Sequence, residues 1–132
     1  MHSDLRSKTL TTANTDETAA TGTVAEIFTA AREEFLYKLI IKSLGDNAAT
    51  VLRVWLNNGH PRTTPDNNSF VADLTLTSAT ASQTAAQAIY SIDLGLWIPE
   101  KTKLLCAIGT AGTDGWQVTA VVGDDYAERY LV

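Results

Sequence analysis

The chain has 132 residues, 45% of them hydrophobic and 19% charged, which is enough for one domain with a core of its own and leaves little room for two. Its net charge of −5 and its ten scattered Lys and Arg weigh against a nucleic-acid backbone or an anionic membrane surface as partner. The single cysteine, Cys106, excludes an internal disulfide, no apolar run approaches the roughly 20 residues of a membrane helix, and residues 1–14 lack the apolar stretch of a signal peptide, so a soluble protein made in the cytoplasm is expected.

Residues 1–22 stand apart. After Met1 their only sizeable apolar side chains are Leu5 and Leu10, and the rest is rich in Thr, Ser and Ala. Such a segment buries too little surface to offset its own ordering entropy, which predicts either a disordered tail or an extended, flexible N-terminal arm that orders on a neighbouring subunit, ahead of a domain over 23–132. Leu5 and Leu10 are then the arm's candidate contacts with a partner, as a strand added to a neighbour's sheet edge.

Residues 24–44 support two readings. Thr23-Val24-Ala25-Glu26 matches a helix capping box, with Val24, Ile27, Phe28, Ala31, Phe35 and Leu39 at helical spacing and Gly45 as a stop. The competing reading places a strand over 24–29, a turn over 30–34 and a strand over 35–43, with Phe35, Tyr37, Leu39 and Ile41 on one face. The β reading is preferred, because the chain beyond it alternates with period two and helix propensity is a weak guide on its own. Alternation runs through 50–57, 70–76, 88–94, 103–109 and 116–122, and it assigns Leu39, Ile41, Leu52, Val54, Leu56, Leu74, Ile92, Leu104, Ile108, Val118 and Ala120 to the core. Turn chemistry separates the runs, as in Asn58-Gly59-His60-Pro61 and Gly112-Thr113-Asp114-Gly115. Seven or eight short strands without helices between them predict an all-β, antiparallel, jelly-roll-like β-sandwich.

The chemistry-bearing residues do not assemble into a site. His2 and His60 fall in the arm and in a loop, with no Ser or Cys in a recognisable nucleophile position. Cys106 alternates with Leu104 and Ile108 and reads as a small core side chain. Asp124-Asp125 and Asp66-Asn67-Asn68 offer oxygen ligands without the spacing of a calcium loop, and read as turn formers. Glu33 and Glu34, as strand neighbours, point to opposite faces. No catalytic, cofactor-binding or metal-binding residue is therefore named, and a non-enzymatic role is expected. Of Trp55, Trp97 and Trp116, Trp55 lies opposite the Leu52/Val54/Leu56 face and is the candidate for an exposed partner contact; three exposed tryptophans would also make a sugar-stacking platform.

The run Ala49-Thr50-Val51-Leu52-Arg53-Val54-Trp55-Leu56-Asn57-Asn58-Gly59 resembles a strand and turn of small structural proteins of tailed bacteriophages. So does Leu96-Trp97-Ile98-Pro99 taken with Gly112-Thr113-Asp114-Gly115-Trp116-Gln117-Val118-Thr119-Ala120, ending in Gly123-Asp124-Asp125-Tyr126. Over residues 23–126 the chain is similar to the β-sandwich cement, or decoration, proteins of phage heads, and departs from them in its Arg32-Glu33-Glu34 turn. The resemblance implies a virion structural protein, without cofactor, that binds the outer surface of the major capsid protein and stabilises the head. It would be present in repeated, homo-oligomeric copies on the capsid surface after synthesis in the bacterial host cytoplasm. Two other classes fit the same pattern: a phage tail or baseplate accessory protein, and a carbohydrate-binding β-sandwich module.

Overall fold

The computed structural model describes residues 3–123. Eight strands are described: β1 (Ser3–Leu10), β2 (Ala25–Thr29), β3 (Glu34–Ser43), β4 (Thr50–Asn57), β5 (Asn68–Leu76), β6 (Ile89–Ile98), β7 (Lys103–Ile108) and β8 (Trp116–Gly123), with one 3₁₀ turn at Pro65–Asn67. The capping box over 23–26 does not nucleate a helix; Ala25–Thr29 pairs with β7 instead, because its Ile27 and Phe28 gain a core that an isolated helix would not have.

Pairing follows one rule. β4 pairs with β5, β3 with β6, β2 with β7 and β1 with β8, all antiparallel, as in one long hairpin folded back on itself. Further pairing of β3 with β8 and of β4 with β7 closes two four-stranded sheets, β1-β8-β3-β6 and β2-β7-β4-β5. This is the eight-stranded, two-sheet jelly roll, as the strand pattern predicts. The sheets enclose a core of Leu36, Leu39 and Ile41 from β3, Leu52 and Val54 from β4, Leu104, Cys106 and Ile108 from β7, and Trp116, Val118, Ala120 and Val122 from β8. Burying each of the larger aliphatic side chains contributes roughly 1.5–3 kcal/mol. All eleven side chains assigned to the core by alternation lie in it or pack against it; Leu56, Leu74 and Ile92 are only partly buried.

Two irregularities change the phase. The register of β3 shifts between Leu36 and Lys38. This bulge leaves Leu39 and Ile41 pointing inward but turns Leu36 into the core and Phe35 and Tyr37 out, against the expected common face. A second shift, opposite Val54/Trp55, carries Phe70 of β5 to the outer surface, where its ring meets that of Trp55 edge-on at 5.6 Å.

The N-terminal segment is extended, as expected, but it is not a separate, flexible arm. Ser3–Leu10 is an edge strand in register with β8 from Ser3↔Gly123 to Leu10↔Trp116. The chain then crosses to the other sheet, with Asn14 donating its main-chain N–H to the carbonyl oxygen of Ile108 at 2.8 Å. What composition leaves out is the open edge of β8, which supplies the main-chain hydrogen bonds that residues 3–10 cannot make among themselves.

Candidate functional site

The two outer sheet faces are treated differently, and the difference begins with the chain between β1 and β2. Residues 14–22 form a strap across the outside of the β2-β7-β4-β5 sheet. Asn14 organises it, its side-chain amide donating to the carbonyl oxygens of Thr21 and Thr23 at 2.9 and 3.0 Å while its Oδ1 accepts from the N–H of Asp16. Asp16 accepts from the N–H and hydroxyl groups of both Thr18 and Thr21, and these bonds hold its carboxyl well below the usual value of 3.8. The strap is latched from the long β4–β5 loop. Arg62 donates to the carbonyl oxygens of Ala19 and Gly22, and Asn68 to that of Thr18.

Under the strap lies a second small core of Ala19, Trp55, Leu105 and Ala107. Trp55 is fully buried, and its indole N–H donates to the carbonyl oxygen of Glu17. The expectation of an exposed, partner-binding Trp55 is therefore corrected: the side chain does leave the main core, but the strap covers it. Leu10 is corrected as well, being 5% exposed in the main core at the end of β1. Leu5, at 64% exposure, is on the surface, presented by a strand of the sandwich.

The outer face of the β1-β8-β3-β6 sheet has no such cover from 14–22. Register places four rows across it: Thr9, Gln117, Lys42 and Ile89; Ser7, Thr119, Ile40 and Ser91; Leu5, Val121, Lys38 and Asp93; and, at the end, Gly123, Phe35 and Trp97. Phe35 packs edge-on against Tyr37 at 4.6 Å and against Trp97 at 5.1 Å, forming a partly exposed aromatic cluster beside the β3 bulge. Ile89, at 68%, is the most exposed large hydrophobic side chain among the described residues. The face is thus an aliphatic and aromatic surface interleaved with hydroxyls and a few charges of both signs. Periodicity missed the aromatic part of it because the bulge reverses the phase of Phe35 and Tyr37.

The other residues singled out in the sequence do not converge. Trp55 lies under the strap, Trp97 on the open face and Trp116 at 1% exposure in the main core, so the three tryptophans form no common platform. Cys106 is fully buried, and burial pushes its thiol well above the ordinary value. His60 lines a cavity of about 360 Å³ with Glu26, Arg62 and Lys103, whose walls hold no Ser, Thr or Cys. Arg62 is committed there to the strap carbonyls. Asn67 and Asn68 donate to the carbonyl oxygens of Pro61 and Arg62, organising their own loop. Glu33 lies in the β2–β3 turn and Glu34, 8% exposed, begins β3. His2 and Asp124-Asp125 lie outside the described residues. Among the described residues no group of three or more His, Cys, Asp or Glu is placed to hold a metal ion, and no helix is long and apolar enough to cross a membrane.

No known protein family matches the chain, and no curated protein does. Among solved structures it is similar to a chain in the structure of infectious bursal disease virus, Gx strain, at 12% identity and a TM-score of 0.31; the similarity covers 92% of this chain and 33% of that one. The protein thus spans about a third of the length of that chain.

Proposed function

We propose that the protein is a non-enzymatic structural component of a virion, a cement or decoration protein that binds the outer surface of the major capsid protein and stabilises the head. The observation that carries this reading is the asymmetry of the sandwich. One outer face is closed by the chain's own strap, while the other offers Leu5, Val121, Ile40, Ile89 and the Phe35/Tyr37/Trp97 cluster on a rigid four-stranded sheet. A rigid patch with an aromatic anchor is what a binding protein needs to keep ordering costs low. The phage-like strand and turn texture of residues 49–59 and 112–126 supports a capsid as the partner, and repetition over a shell would multiply individually weak contacts. The net charge of −5 argues against nucleic acid or an anionic membrane as the partner.

The test uses particles stripped of this protein. Ile89→Asp and Leu5→Asp alter exposed positions, so folding is unchanged, and occupancy on the particle should fall at least about tenfold for Ile89→Asp, a loss of about 1.4 kcal/mol in binding. Full occupancy by the doubly substituted protein would remove the open face from the interface. Attachment to tails and not to heads would replace the capsid reading with the tail accessory one.

A further inference from the structure

The edges of the two sheets are not alike. β1 lies against β2, so these strands flank one side of the sandwich and β6 and β5 flank the other. The first side carries devices that discourage pairing with another chain. β2 is five residues long, and its register with β7 shifts between Glu26 and Phe28. β1 places Asp4, Arg6 and Lys8 opposite the buried Val122, Ala120 and Val118, so charged side chains stand on the core side of the edge and reach out to solvent, with the Arg6 guanidinium 2.6 Å from the Asp4 carboxylate.

The β5/β6 side has neither device. Ala72 and Leu74 of β5 and Tyr90, Ile92 and Leu94 of β6 pack toward the core yet are only partly buried, whereas Leu39, Val54, Leu104 and Val118 of the internal strands are fully buried. They form an apolar seam between two strands that, among the described residues, each pair on one side only. β6 is ten residues long, with Asp93 as its single charge and no proline. Its regular run covers residues 89–94 and ends at Gly95, which takes a φ of +63° where the register with β3 shifts.

From these features we infer that β6 is the interface for a second copy of this chain, the two strands pairing antiparallel about a two-fold axis with Ile92 opposite its counterpart. Outer side chains face outer ones, and inner face inner, only in alternate registers. With Ile92 at the centre, Tyr90 meets Leu94 of the copy, and Asp93 meets Ser91, whose hydroxyl donates to the carboxylate. A centre at Ser91 would set Asp93 against Ile89, and a centre at Asp93 would set two carboxylates against each other, which is destabilising. The strand is thus complementary to itself in charge and in apolar pattern, which is the requirement of a two-fold interface. Pairing covers the β6 half of the seam and joins the two open faces into one continuous sheet. The inference does not rest on the capsid reading, because it concerns the isolated protein.

The experiment is sedimentation velocity of the isolated protein over about a hundredfold range of concentration, which should show a monomer–dimer equilibrium. Ser91 is exposed on the outer face, so its substitution leaves the fold intact. Ser91→Asp sets a second carboxylate against Asp93 at two symmetric places and should raise the dimer dissociation constant at least about tenfold. Ser91→Lys gives Asp93 an opposite charge and should leave the dimer at least as tight as in the wild type. Ser91→Asp combined with Asp93→Ser exchanges the two side chains and should restore the wild-type constant. A chain that stays monomeric throughout, its edge left to a different partner, would overturn the assignment. So would a dimer indifferent to these substitutions or weakened equally by Ser91→Asp and Ser91→Lys.

Discussion

The indole N–H of Trp55 donates to the main-chain carbonyl oxygen of Glu17 at 2.9 Å, joining the middle of β4 to the strap from the start of the chain. The bond explains how a tryptophan on the outer side of a sheet is fully buried. Trp55→Phe keeps most of the buried ring and loses the bond, and should cost about 1 kcal/mol. Trp55→Ala opens a cavity beneath Ala19 and should cost about 3–5 kcal/mol. Urea unfolding of the two variants measures both, and a stability like that of the wild type in Trp55→Ala would mean that the strap does not close over β4.

Gly22 is required for the strap to turn back toward β2. Its φ is +74°, and a Cβ there would stand 2.9 Å from the side-chain amide of Asn14, the group that organises the turn. Gly22→Ala therefore combines a left-handed backbone with a clash, and should destabilise the protein by about 1–3 kcal/mol. Rapid exchange of the Trp55 indole hydrogen in that variant, with the main-core amides still protected, would show that the strap opens ahead of the sandwich.

The strap should also respond to acid. Hydrogen bonds from Thr21 and Thr18 depress the Asp16 carboxyl below its ordinary 3.8. A folded value below the unfolded one means that the stabilisation is complete above about pH 4 and is lost as the pH falls through the folded value. Trp55 emission is expected to be flat from neutral pH to about pH 4 and to change below it, and Asp16→Asn should abolish that change. A transition centred near pH 6 would assign the response to another group.

The fold was legible in the sequence where alternation is uninterrupted. β4, β7 and β8 carry their inward side chains at the positions that period two assigns, and Cys106 sits among them as expected. It failed at Phe35, Tyr37 and Phe70, because one inserted or offset residue reverses every side chain beyond it and leaves no mark on composition. It failed for residues 1–22 for a different reason. The stabilisation of β1 is the main-chain pairing with β8, and that of the strap includes the N–H donors of Trp55, Arg62 and Asn68, all distant in sequence. Trp55 was correctly placed on the outer side of β4; its burial depended on the strap, so the surface reading failed with the arm.

Cys106 should be silent toward thiol reagents in the native state. It is fully buried between Leu104 and Ile108, and burial raises its thiol so that little thiolate forms. Labelling should proceed at the rate of global unfolding and accelerate in denaturant. Fast labelling of the native protein would require a local opening of β7, the strand that pairs with both β2 and β4.

Leu5 and Leu10, alike as candidates in the sequence, should separate in experiment. Leu10 is 5% exposed, opposite Trp116, whereas Leu5 is 64% exposed, opposite Val121 on the open face. Leu10→Ala should cost about 2–4 kcal/mol, and Leu5→Ala should leave stability within about 0.5 kcal/mol. Deleting residues 1–10 should be worse than either, because it removes the buried leucine and also strips the main-chain partners from β8, turning an internal strand into an open edge. The deleted protein should melt well below the full chain and aggregate through β8 on warming. If it kept the full-length melting temperature, β1 would be an appendage of the sandwich, and the arm read from composition would stand after all.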